Sequence, residues 1–207
     1  MNSFLDLDAK RFEADPFGYS ALAWHKWGMV CALNGFHVDI AKAPTPHDLK
    51  NPILWLCHAN ALSEAASHLV KQSAEFRNMP TELRTICHSQ YHAVALMLVG
   101  YSLEVCLKAI LIIKLGIDEF LAREKQHFHH ELGELSSFVP DLSDKDKAIL
   151  KSLSHFVRWA GRYPDPGSKR IDSAVDVFEL SEKHQITAED LFRLAGRIMG
   201  YVREVTN

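Results

Sequence analysis

The chain has 207 residues, 47% of them apolar, enough for one soluble globular unit that needs neither disulfide nor metal to hold together. Lys and Arg number 23 against 26 Asp and Glu, and a net charge of −3 excludes a strongly basic nucleic-acid coat and an acidic disordered tail. Histidine is the compositional excess, with 12 residues, and it is the side chain most readily used as a metal ligand or proton shuttle.

The opening Met-Asn-Ser-Phe-Leu-Asp-Leu-Asp lacks the basic start and apolar stretch of a secretory signal. A first helix is predicted over Pro16 to Leu33, capped by Asp15 and ended by Asn34-Gly35. Val38 to Pro52 carries Pro44, Pro46 and Pro52 and reads as a loop. A second helix fits Ile53 to Phe76, with Leu56, Ala59, Leu62, Ala66 and Leu69 on one face, and Asn78-Met-Pro80 breaks it. Thr81 is read as the cap of a long helix running to about Leu115, where Gly116 stops it.

A short amphipathic piece follows at Asp118 to Lys125, then a helix from near His130 to before Pro140. Ser143 and Asp146 form a capping-box pattern opening a helix from Asp144 to about Trp159. Two prolines and two glycines make Gly161 to Gly167 a loop. A short helix fits Ser173 to Lys183. Thr187 and Asp190 cap a last one to about Val205, with Leu191, Leu194, Ile198, Tyr201 and Val202 inward. The fold class is therefore all-α: an antiparallel up-and-down helical bundle with a long central helix and an N-terminal helical extension. Residues 1–50 are the extension and 51–207 the bundle.

The long helix has aliphatic residues on every side and reads as surrounded by protein. Its longest charge-free run, Tyr91 to Leu103, falls short of the about 20 residues that span a bilayer, so no membrane role is expected. The cysteines, Cys31, Cys57, Cys87 and Cys106, lie in apolar segments without a C-x-x-C, as buried free thiols of a reduced cytoplasm do.

Three features could carry chemistry. Glu104 and Lys108 stand one turn apart in an apolar stripe with Met97, Tyr101, Leu111 and Leu115, either as a structural ion pair or facing a ligand. The cluster His127-Phe-His129-His130-Glu131 precedes a helix. Adjacent His129 and His130 cannot both face one ion, and His88 and His92 lack further partners, so no metal or other cofactor is expected. His130 is either a backbone-bonding residue or a general acid or phosphate contact. The third feature brings Arg158, Trp159, Arg162 and Tyr163 together at a helix end and a rigid loop, with Lys169-Arg170 beyond. Arginine forks hold phosphate and aromatics stack on bases, although a solvated turn would use the same residues.

In this order, the three features resemble the HEPN family of small helical domains. The long-helix acid and lysine appear in Gly100-Tyr-Ser-Leu-Glu104-Val-Cys-Leu-Lys108, the His-acid-Leu step in His130-Glu131-Leu132-Gly-Glu-Leu135, and the Arg-Tyr-Pro turn in Gly161-Arg162-Tyr163-Pro164-Asp165. The resemblance covers about Leu56 to Val205. It implies a dimeric antiparallel bundle tied to nucleotide or RNA chemistry, found in toxin–antitoxin and defence ribonucleases and in non-catalytic domains beside nucleotidyltransferases. On that reading Glu104, Lys108, His130, Arg158, Arg162 and Tyr163 bind a nucleotide or short RNA, in a homodimer or with a nucleotidyltransferase-type partner. The family's ribonucleases carry an Arg followed by four to six residues and a His, late in the fold. Here Arg123 and His129 have that gap but lie earlier, and Arg84 to His88 is one residue short. The catalytic alternative, a metal-independent endoribonuclease, rests on Arg123 and His129. A helical oligomerisation or partner-binding protein is the third reading.

Overall fold

Every regular element is helical in the computed structural model, which describes residues 9–20, 23–72, 74–168 and 171–206. The chain divides into two compact units, Met1–Leu54 and Trp55–Asn207.

The first unit contains α1 (Ala9–Ala14), α2 (Pro16–Ser20), α3 (Ala23–Leu33) and α4 (Pro46–Leu49). Two helices thus stand where one was predicted over Pro16 to Leu33, and residues 21 and 22 between them lie outside the described residues. Asp15 caps as expected, its Oδ1 accepting the Gly18 N–H at 2.9 Å. The proline-bearing segment read as a loop holds α4. Thr45 and Asp48 exchange side-chain and backbone bonds there in a complete capping box, and Pro46 occupies the first turn, where its missing N–H costs nothing. At Gly28 of α3 a Cβ would lie 2.1 Å from the Ile40 side chain, so glycine lets the following loop press against the helix.

The division falls in the first turn of α5 (Pro52–Lys71). Beyond it come α6 (Thr81–Leu115), α7 (Ile117–Ala122), α8 (Glu124–His127), α9 (Leu132–Leu135) and α10 (Asp144–His155). A π-helical turn (Phe156–Ala160) continues α10, and α11 (Asp172–His184) and α12 (Ala188–Thr206) complete the unit. This is the expected all-α bundle with a long central helix. From Ala95 to Ile112, α6 is the core: Leu103, Cys106, Leu107 and Ile110 are fully buried. It packs against α10, the π-helical turn and α12. Ala59 and Ala66 of α5 close the same apolar clusters, with Ile149, Leu150, Leu194 and Ile198.

The N-terminal third of α6 departs from the expectation that protein surrounds the whole helix. Leu83 and Ile86 are exposed there, among Glu82, Arg84 and His88. The residue that precedes its first turn is Pro80, and no side chain caps it, so Thr81 begins the helix instead of capping it. By length and composition α6 is apolar enough to cross a membrane, but 61% of its most apolar window is buried inside the protein, as in a core helix. The cysteines divide: Cys31 and Cys106 are buried, Cys87 is half-buried and Cys57 exposed. Burial pushes the Cys106 thiol up to about 12.

Other boundaries shift for local reasons. α5 ends at Lys71, five residues before the predicted Phe76, which takes a positive φ of 46°. The helix expected from His130 to Pro140 is the single turn α9. There the Ser136 hydroxyl donates to the Gly133 carbonyl at 3.0 Å, the local side-chain bonding that competes with helix propagation. Ser143 and Asp146 form their capping box at α10, and Thr187 and Asp190 exchange bonds at the start of α12.

Candidate functional site

The site grows from the buried middle of α6. Glu104 and Lys108 lie on adjacent turns, and Lys108 Nζ donates to Glu104 Oε1 at 2.7 Å with both side chains only 6% exposed. The i, i+4 spacing creates the pair, but two ions so far from water must be held by more than each other. Lys108 Nζ also donates to the His129 carbonyl at 3.2 Å and sits 5.0 Å from the Phe128 ring centroid. The second carboxylate oxygen, Glu104 Oε2, meets His130 Nδ1 at 2.8 Å. His130 is 43% exposed on its side chain, so a buried carboxylate orients an imidazole that reaches solvent. That arrangement fixes a ring and makes its tautomer predictable, with the proton on Nδ1 when the ring is neutral.

The strand of chain carrying His130 is fixed by α10. Ser154, nearly buried, accepts the Leu132 N–H at 2.9 Å and donates to the Leu150 carbonyl. Arg158, one turn on, donates from Nη2 to Glu131 Oε2 at 2.7 Å. The π-helical turn that carries Arg158 lies unusually close to α6. A Cβ at Gly100 would come 2.5 Å from Val157 Cγ2, and one at Gly161 would come 2.3 Å from Met97 Cβ. Two glycines therefore let these segments touch, and π turns recur at functional positions. Beyond Gly161, the Arg162 guanidinium lies 5.4 Å from the Tyr101 ring centroid, and that ring meets His130 edge-on at 6.1 Å.

Five of the six expected ligand-binding residues are thus linked. Glu104, Lys108 and His130 are joined directly, Arg162 through Tyr101, and Arg158 through Glu131, the neighbour of His130. Tyr163 is 58% exposed beside Arg162, and its N–H donates to the Trp159 carbonyl. Lys108 is spent on Glu104 and the His129 carbonyl, so it underpins the site instead of facing solvent. From sequence, Tyr101 was named only as part of an apolar stripe and Glu131 only as the acid beside His130, and Ser154 was not singled out. Only the small polar Ser154 amid the apolar face of α10 hinted at such a role.

Burial lowers the His127 imidazole below its ordinary value, and the electrostatic influence of neighbouring His129, Arg123 and Lys108 lowers it further. Arg123 is paired with Glu119 on α7, while His129 Nδ1 accepts the Glu131 N–H at 3.1 Å. The catalytic alternative's two residues therefore have separate partners. His155 is also taken up elsewhere, its Nε2 2.8 Å from Asp176 Oδ2 on α11. His92 Nδ1 contacts the His88 carbonyl, and Phe76 meets His88 edge-on. No group of three or more His, Cys, Asp or Glu is placed to hold a metal ion among the described residues. Lys169 and Arg170 lie outside those residues.

Comparison with protein-family models, with curated proteins and with solved structures returns no match.

Proposed function

We propose that the Trp55–Asn207 unit is a HEPN-like domain that binds a nucleotide or a short RNA through His130, Arg158, Arg162 and Tyr163, as a binding domain and not a clear catalyst. The observation that carries this reading is the buried Glu104 carboxylate, which holds Lys108 with one oxygen and orients the half-exposed His130 with the other, beside Arg162 on Tyr101. Guanidinium groups suit phosphate, and an exposed tyrosine suits a base. Glu104 and Lys108 act as positioning residues beneath this surface. The local clustering of charge in a chain of net charge −3 favours a small anion over long nucleic acid, whose binding is driven by many phosphate contacts. The domain acts in the cytoplasm as a homodimer or beside a nucleotidyltransferase-type protein.

Titration of ATP, UMP and a pentanucleotide RNA by calorimetry tests the reading. The double variant Arg162→Ala, Tyr163→Ala changes exposed side chains only, so its helical circular dichroism should match the wild type. Its affinity for the preferred ligand should fall at least about tenfold, equivalent to ~1.4 kcal/mol. Negligible binding of all three ligands by wild type and variant alike removes the proposal.

A further inference from the structure

A cavity lies apart from the Glu104 cluster, where α6, α10, α11 and α12 meet. It holds about 320 Å³ and is walled by Leu96, Ile149, Phe156, Val177, Ile186 and Leu191. Among the described residues none that lines it is charged, and the polar members of its wall are Ser152, Ser181 and Thr187. Thr187 is already committed, its hydroxyl donating to Asp190 Oδ2 and accepting the Asp190 N–H. Ser152 Oγ is shielded from solvent and has no hydrogen-bond partner among the described residues, so it is not presented to the cavity. Over the cavity lies α11, which buries none of its side chains fully and is tied down at Asp176 by Lys151 and His155.

We propose that this cavity is a binding site for a small, neutral, largely apolar molecule, with α11 as its cover. The volume and lining are those of a small-molecule site, apolar with few polar groups. Apolar cavities stay dry and take up apolar ligands. The absence of charge from the wall excludes a phosphate or carboxylate at this position, so the site is chemically distinct from the surface around Arg162. It does not depend on the nucleotide-binding reading.

The test uses N-phenyl-1-naphthylamine, a neutral aromatic amine whose emission brightens and shifts blue in apolar surroundings. The full chain should bind it saturably, one molecule per chain. Ser181→Trp and Ala188→Phe enlarge exposed residues at the cavity's edge. Each should weaken binding about tenfold or more while leaving helical circular dichroism and thermal unfolding near wild type; using two variants guards against one failing to fold. Phe178→Asp, on the outer face of α11 where Phe178 is 71% exposed, should leave binding unchanged. The proposal is overturned if the wild-type chain shows no saturable binding, or if folded Ser181→Trp and Ala188→Phe variants retain it. Loss of binding in Phe178→Asp would place the probe on the outer surface and overturn it as well.

Discussion

Glu104 makes two contacts that its sequence position explains unequally. Lys108 was legible because four residues on a helix is one turn, whereas His130 comes from 26 residues away, and only the packing of the α8–α9 connection against α6 brings it to the carboxylate. Removing one member of a buried ion pair strands the other, typically at 3–5 kcal/mol. We expect Glu104→Gln to lower stability by about 3 kcal/mol, which for a chain of this size is roughly 6–12 °C in thermal midpoint. Lys108→Met alone should cost a similar amount. The double variant Glu104→Gln, Lys108→Met should recover part of the loss, because neither charge is then buried alone. Chemical denaturation of the four proteins gives the coupling directly. Additive losses in the double variant would show that the two charges do not stabilise each other. Tyr101 was the residue hardest to read. Its position in the apolar stripe is that of a core aromatic, and only the three-dimensional placement of Arg162 and His130 on either side of its ring reveals a polar role.

The elements divide by whether local chemistry or tertiary contact fixes them. The capping boxes at Ser143 and Thr187 were readable because the interaction closes within three residues. The long reach of α6 followed from apolar residues that recur along its length with no proline between Pro80 and Gly116. The π-helical turn was not readable, since it arises where Gly100 and Gly161 let α6 approach the end of α10, and no spacing rule encodes that approach. The attachment of α11 is likewise tertiary: Asp176 accepts from Lys151 at 2.8 Å and contacts the buried His155 ring. Burial by itself raises the Asp176 carboxyl, but the bonds from Lys151 and His155 outweigh it and hold it below its ordinary value. A carboxyl whose folded pKa is depressed contributes stability that is present above its unfolded value, about 3.9, and lost as pH falls through the lower folded value. Asp176→Asn should therefore cost about 1–2 kcal/mol at neutral pH, with faster hydrogen exchange concentrated in α11. The difference between variant and wild type should shrink below about pH 4. An exchange difference spread over α6 and α12, or one that persists in acid, would show that Asp176 does not act as the local tether.

At the scale of the whole molecule, the two units differ in what could hold each together. Both apolar clusters of the larger unit are built from residues at and beyond Leu56, drawing on α5, α6, α9, α10 and α12. In the smaller unit, α1, α2 and α4 have 6, 5 and 4 residues, lengths far below the about 12–15 at which even favourable isolated helices become marginal in water. The sequence places proline-bearing residues 38–52 between the helix predicted over Pro16 to Leu33 and the periodicities that start at Ile53. It could not locate the boundary inside a continuous helix, because α5 begins in one unit and belongs mainly to the other. A fragment of residues 51–207 keeps Asn51, whose side-chain oxygen accepts the Ile53 N–H at 3.0 Å and so preserves the start of α5. That fragment should unfold cooperatively, with helical circular dichroism per residue at least equal to that of the full chain. Residues 1–54 alone should give neither a cooperative transition nor stable helix. Cooperative unfolding of the short fragment would show that its short helices stabilise one another, and non-cooperative unfolding of the long one would show that the larger unit's core is not self-sufficient.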